Sequence, residues 1–257
     1  IIKFNPKLVL GRAYPPISQI CKLLSIPYIC FSDTDHGKIA FNLTIPFASQ
    51  LITPNSFSHD FGNKHKKIEA FFELAYLNPS FFMKDNKIRE NLGISSEEQL
   101  FVLRFVKYNS YHDTGSSGFR EISKVHLSNL LSKYGKVVIV SESKLPRRLE
   151  KYDYKIKPYE FHNLLYDANL CISDGSTTAV ESSILGTPTI HYEKFRSNGI
   201  VKDASQMLGY LGELKNKYKL FKTYNSEKSV FLKVQNFIKK GISNTKNIDK
   251  STRLFNE

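Results

Sequence analysis

The sequence predicts an α/β protein of two domains, each built on a parallel sheet, and three observations carry that prediction. Short apolar runs alternate with helix-like runs almost to the end of the chain. Strands at that spacing must be parallel, because parallel neighbours need a crossover connection, usually a helix, between them. At 257 residues the chain is long enough to bury two modest cores. Finally, an apolar strand over residues 170–173 runs into Asp174-Gly175 and then a helix, as ligand-binding strand ends of open α/β sheets do.

Taken in order, Lys7-Leu8-Val9-Leu10 reads as a strand closed by Gly11, and Pro15-Pro16 opens a helix with Ile17, Ile20, Cys21 and Leu24 on its apolar face. Pro27 starts a second strand, Tyr28-Ile29-Cys30-Phe31, ending in Ser32-Asp33-Thr34-Asp35-His36. A helix over 40–49 and a strand at Leu51-Ile52-Thr53 follow. Residues 57–98 are less regular and hold the junction between domains. The second series begins with the strand Phe101-Val102-Leu103-Arg104-Phe105-Val106 and a loop through Gly115-Ser116-Ser117-Gly118. It continues with a helix over 121–133, the strand Val137-Val138-Ile139-Val140 and helices near 145–152 and 161–167. The strand at 170–173, a helix over 178–185, the strand Thr189-Ile190-His191 and helices over 204–218 and 229–240 complete it. The expected organisation is the remainder of an N-terminal Rossmann-like domain over 1–78, a C-terminal nucleotide-binding Rossmann-like domain over 79–241, and a polar tail over 242–257. The chain opens on Ile1 rather than Met and enters a strand almost at once, so the N-terminal domain is expected to be truncated.

No run approaches the roughly 18 apolar residues of a membrane-spanning helix, and no signal-peptide pattern is present. Cys21, Cys30 and Cys171 lie in apolar surroundings without metal-ligand spacing, which fits buried thiols in a reducing, cytoplasmic compartment. The net charge of +13 suits anionic partners, but the lysines are spread along the chain, and no nucleic-acid-binding motif accompanies them. Nucleic acid is therefore not an expected partner. Peripheral contact with a membrane and a homodimer stay open.

The loop at Asp174 carries the densest chemistry. Its helix N-terminus offers unpaired N–H groups and the positive end of a dipole, which together favour a phosphate. Gly175 lets a ligand approach the backbone, while Ser176 and Thr177 add hydroxyl donors. Glu181 lies further into the helix, where a carboxylate can accept ribose hydroxyls. The competing explanation is capping alone, since Ser or Thr with a later Glu also stabilises a helix start by about 1 kcal/mol.

Asp174, Glu181, Gly186 and Pro188 have spacing that resembles the C-terminal domain of non-hydrolysing UDP-N-acetylglucosamine 2-epimerases, which share the glycosyltransferase-B architecture. The resemblance implies that Asp174, Gly175, Ser176, Thr177 and Glu181 hold the diphosphate and ribose of a UDP-linked sugar. Three details depart from it: Gly175-Ser176-Thr177 replaces Ser-Gly-Gly, Val180-Glu181 replaces paired glutamates, and His191-Tyr192-Glu193-Lys194-Phe195-Arg196 replaces an Arg-containing loop. A wider likeness is to domain of unknown function 354. It rests on Leu10-Gly11-Arg12, Asp33-Thr34-Asp35-His36, Glu73-Leu74-Ala75-Tyr76-Leu77 and Leu103-Arg104-Phe105-Val106. His112-Asp113, Ser141-Glu142 with Leu145-Pro146, and Asp174-Gly175 with Leu185-Gly186-Thr187-Pro188 extend it. That family groups with glycosyltransferase-B proteins and sugar epimerases.

Two further segments can supply chemistry. Asp33, Asp35 and His36 follow a buried strand and can act as general acids or bases; a surface turn, or an Asp-x-Asp metal site, are the alternatives. The epimerase resemblance aligns this segment with a catalytic carboxylate. Arg104, His112 and Asp113 follow the first strand of the second series. Arg104 can pair bidentately with a phosphate, and the alternative is a flexible loop. Arg12 is expected to contribute charge to the site. His59, His65, His126 and His162 have no evident partners in the sequence and read as surface or packing residues.

The expected function is a nucleotide-sugar enzyme of polysaccharide or glycoconjugate metabolism, closest to UDP-N-acetylglucosamine 2-epimerases. Glycosyl transfer from a nucleotide-diphospho-sugar, or a non-catalytic protein keeping the fold, are the other readings. No cofactor and no bound metal are implied.

Overall fold

The computed structural model describes the chain except residues 36–37, 79–81, 86, 109–114, 198–199, 243–251, 253 and 256–257. It divides into two compact units, Ile1–Phe72 with Met207–Glu213, and Glu73–Gln206 with Leu214–Glu257.

The first unit is a four-stranded parallel sheet of β1 (Val9–Arg12), β2 (Tyr28–Phe31), β3 (Gln50–Pro54) and β4 (His65–Ile68), paired in that order. Helix α1 (Pro15–Leu23) joins β1 to β2, and α2 (Lys38–Thr44) joins β2 to β3. Prolines at the start of α1 occupy the turn whose N–H groups have no helical acceptor in any case. The helix ends at Leu24, followed by Ser25 in a left-handed conformation (φ 55°) and then Pro27. Cys21, Tyr28, Cys30, Phe41, Ile45, Ala48, Leu51 and Phe57 form the core. Strand β4 falls in the stretch that sequence periodicity left unassigned. Its sequence, His65-Lys66-Lys67-Ile68, has only Ile68 as an aliphatic residue, and it is held by its register beside Leu51, Ile52, Thr53 and Pro54.

The second unit opens with two short helices, α3 (Leu74–Leu77) and α4 (Lys87–Leu92). It continues through β5 (Leu100–Phe105), β6 (Ser116–Ser117), α5 (Glu121–Leu131), β7 (Lys136–Ser141), α6 (Phe161–Asp167), β8 (Leu170–Ser173), α7 (Ser176–Ile184) and β9 (Thr189–Tyr192). Then come β10 (Lys194–Ser197), β11 (Ile200–Lys202), α8 (Gly209–Asn216), which the division between units crosses after Glu213, β12 (Lys222–Tyr224) and α9 (Glu227–Lys239). The main sheet is parallel throughout, in the order β12-β9-β8-β5-β7. Strands β5 and β8 lie inside it and are buried almost throughout, which is why they read as near-continuous apolar runs. A small antiparallel sheet, β11-β10-β6, was not legible from periodicity; its strands are two to four residues long. The helix expected over 145–152 is present only as a 3-10 turn at Glu150–Tyr152. The helix expected over 204–218 is split into a 3-10 turn at Ala204–Gln206 and α8.

From β5 the chain crosses to β7 on one side, then returns to β8 on the other side of β5. The order therefore reverses between β5 and β8, and the loops leaving their carboxyl ends flank a topological switch point, where open α/β sheets bind ligands.

Candidate functional site

The loop after β8 lies at that switch point. Asp174 is 1% exposed, so its carboxyl needs internal partners. Oδ1 accepts the Val106 N–H at 2.8 Å and Oδ2 accepts the Phe119 N–H at 3.2 Å. These are backbone groups from either end of the loop leaving β5, so Asp174 clips that loop to β8. Burial pushes its pKa up to about 6, with the two N–H groups, Lys124 and Arg104 pulling the other way. The Tyr108 hydroxyl donates to the Asp174 carbonyl, closing the same clip. Gly118 and Gly175 are required by closeness: a Cβ on Gly175 would fall 2.6 Å from Val106 Cγ1, and one on Gly118 would meet the Asp174 carboxylate. Asp174 thus shapes the site from beneath, and its oxygens are spent on the backbone.

Helix α7 begins with Gly175 as its N-cap and carries no side-chain cap. Capping alone therefore does not explain the Ser-Thr-Thr opening. Among the described residues, no acceptor serves the N–H groups of Ser176, Thr177 or Thr178, while the Ala179 N–H closes on the Gly175 carbonyl. Ser176 Oγ donates to Glu193 Oε2 at 3.1 Å, and Ser116 Oγ donates to Glu193 Oε1 at 2.7 Å. Behind them His191 is fully buried, with Nδ1 3.0 Å from Thr223 Oγ1 and Nε2 3.5 Å from Ser176 Oγ. Burial pushes its pKa down to about 4, so the ring is neutral.

Glu181 lies beyond the first turn of α7 and is 7% exposed. Its Oε1 accepts the Tyr76 hydroxyl at 3.0 Å and faces His162 Nε2 at 3.1 Å. Tyr76 and His162 pack ring against ring, with centroids 5.5 Å apart and planes tilted by 31°. His162 is therefore not a mere surface residue: the fold gives it a carboxylate partner that no local pattern reveals. The Glu73-Leu74-Ala75-Tyr76-Leu77 segment was singled out by resemblance, but its contact with Glu181 spans 105 residues of sequence.

Arg104, at the end of β5, is occupied by protein groups. Its Nη2 donates to Glu142 Oε1, and Nη1 to the carbonyls of Val140 and Phe105. Glu142 Oε2 also takes the Lys107 N–H at 2.9 Å, so the pair braces the β5 and β7 ends. His112 and Asp113 lie outside the described residues.

In the first unit, Arg12 Nη2 donates to Asp33 Oδ1 at 2.6 Å, and the guanidinium lies over the Phe72 ring at 5.2 Å. Gly11, Arg12, Phe31 and Phe72 line a hollow at the carboxyl ends of β1 and β2. Asp35 is 4% exposed; Oδ1 accepts the Ser58 N–H and Oδ2 the Gly209 N–H at 2.7 Å. Like Asp174, it holds backbone. His36 lies outside the described residues. Among the described residues no group of three or more His, Cys, Asp or Glu side chains is arranged to hold a metal ion. Cys21, Cys30 and Cys171 are buried free thiols.

Parallel sheets with crossover helices in both units define an α/β protein with the glycosyltransferase-B-like fold. The chain belongs to the family described as "Protein of unknown function (DUF354)", which matches residues 1–202. An uncharacterized protein of Methanocaldococcus jannaschii is 25% identical over 202 residues, which are 74% of this chain and 58% of that protein. The chain thus spans little more than half the length of that relative. Among solved structures, the UDP-GlcNAc 2-epimerase from M. jannaschii matches with TM-score 0.58 and 15% identity, over 99% of this chain and 77% of that one. The S. aureus MnaA–UDP co-structure matches with TM-score 0.60 and 13% identity, over 100% and 74%. Sucrose-phosphate synthase from Thermosynechococcus elongatus matches with TM-score 0.60 and 12% identity, over 99% and 70%. At these identities the likeness is one of fold. No helix among the described residues is long and apolar enough to cross a membrane.

Proposed function

We propose that this chain is part of a nucleotide-sugar enzyme that binds a UDP-linked sugar and acts as a 2-epimerase, in polysaccharide or glycoconjugate metabolism. The observation that carries the proposal is the start of α7. At the switch point between β5 and β8, an uncapped helix N-terminus presents the N–H groups of Ser176, Thr177 and Thr178, with the nearly buried Glu181 further along the helix. Those N–H groups and the helix dipole suit a diphosphate. A carboxylate, which only accepts hydrogen bonds, suits the two hydroxyls of a ribose. Asp174 and Arg104 support this arrangement by holding the loops after β8 and β5. As the catalytic acid or base we propose Asp33 rather than Asp35, because both Asp35 oxygens are held by backbone N–H groups while Asp33 Oδ1 is held by side chains, the Arg12 guanidinium and the Thr34 hydroxyl. The fold similarity to UDP-GlcNAc 2-epimerases supports the same substrate class.

Calorimetry with UDP tests the binding half of the proposal: the protein should bind it, and Glu181→Ala should weaken it by about tenfold or more, as expected for lost hydrogen bonds to a charged group. Absence of UDP binding overturns it. NMR of UDP-N-acetylglucosamine incubated with the protein tests the reaction. Appearance of the 2-epimer without any acceptor is the expected result. UDP binding with no turnover until an acceptor is added favours glycosyl transfer instead.

A further inference from the structure

The cluster around Glu181 extends beyond the carboxylate itself. Glu181 is almost wholly buried, yet both of its neighbouring donors, the Tyr76 hydroxyl and His162 Nε2, converge on the same oxygen. A carboxylate cannot donate, so the His162 ring must carry its proton on Nε2 at this contact. Two donors on Oε1 fix the plane and rotation of the carboxyl group. Among the described residues Oε2 has no such donor, so its lone pairs are left for a ligand. Tyr76 and His162 also brace each other through their rings, and each comes from a different element, α3 and α6, so the carboxylate is held from two directions.

We infer that Tyr76 and His162 are positioning residues that aim Glu181 Oε2 at a vicinal diol, making the site selective for ribonucleotides over 2′-deoxyribonucleotides. The inference rests on the nucleotide-binding function proposed above. Removing the 2′-hydroxyl takes away one of the two donors of an oriented, poorly hydrated carboxylate that cannot turn to replace it, and sites built to bond a hydroxyl reject analogues that lack it. A carboxylate free to rotate would turn to a single hydroxyl or to water, and discrimination would fall.

The test is calorimetric titration of the protein with UDP and with 2′-deoxy-UDP. The wild type should prefer UDP by about tenfold or more. In the double variant Tyr76→Phe/His162→Ala that ratio should collapse to within about threefold, mainly through weaker UDP binding, with 2′-deoxy-UDP changed little. His162→Gln, whose amide N–H can reach the same oxygen, should restore most of the preference that His162→Ala loses. A structural role alone would lower both affinities together, or lower the melting temperature without moving the ratio. A folded double variant that keeps the wild-type ratio overturns the inference and leaves the nucleotide-sugar proposal standing. A wild-type protein that binds neither nucleotide overturns both.

Discussion

His191 and Asp174 sit under the start of α7 and respond to pH in opposite directions. His191 stays neutral in the folded protein down to about pH 4, because burial disfavours the imidazolium. In the unfolded chain a histidine gains its proton near pH 6.5. Between those values the unfolded state binds more protons, so the His191 contribution to stability falls as the solution is acidified. Asp174 behaves oppositely: its folded pKa of about 6 lies above the ordinary carboxylate value, so the folded state binds more protons over that interval and stability rises on acidification. The two effects oppose each other between about pH 4 and 6, leaving the histidine alone just above that range. Replacing His191 with Gln removes one of them. The variant should be less stable than wild type at pH 7, having changed the bond to Thr223, and its deficit should shrink or reverse at pH 4.5. Urea midpoints at the two pH values measure this, and a deficit that grows on acidification contradicts the assignment. Neither pKa is legible in sequence, because each comes from burial that neighbours on other strands create.

Helix α7 shows at the element scale how a local signal acquires a tertiary partner. Its nine residues begin on an uncapped turn, and the positive end of the helix attracts a negative group. In this structure that group is Glu193, from the connection between β9 and β10, bonded to the hydroxyls of Ser116 and Ser176. The sequence already showed a glutamate where an arginine-bearing loop was expected. Its consequence depended on β6 and β10 pairing antiparallel, with Phe195 opposite Ser116. A diphosphate at the same turn would meet this carboxylate as a like charge. Glu193→Gln should therefore tighten pyrophosphate binding by about tenfold, in line with the cost of a close like charge near a protein surface. Isothermal titration at low and high salt checks this, with the gain shrinking as salt screens it. Weaker binding in the variant would mean instead that Glu193 is itself part of the ligand's cradle.

At the scale of the whole chain, apolar residues are unevenly covered. Strand β1 is an edge strand of its sheet, with Leu10 60% exposed and Leu23 of α1 84% exposed. An exposed apolar edge strand favours association with other chains. Expressed by itself, this 257-residue chain should therefore self-associate, and Leu10→Lys with Leu23→Glu should reduce that association. Light scattering over a concentration series decides the point, and indifference to the substitutions contradicts it. The alternation of strands and helices, the two parallel sheets and the strand–loop–helix around Asp174 were all present in the sequence. They arise from local periodicity, from turn residues and from the rule that parallel strands need crossovers. Tertiary structure decided the rest: Asp174 holding Val106 and Phe119, Glu181 held by Tyr76 and His162, Arg104 turned toward Glu142, and the short strands β4, β6, β10 and β11. Those partners lie 19 to 105 residues apart and meet only because of how the elements pack, β5 lying between β7 and β8 being one instance, and no window of local sequence contains them.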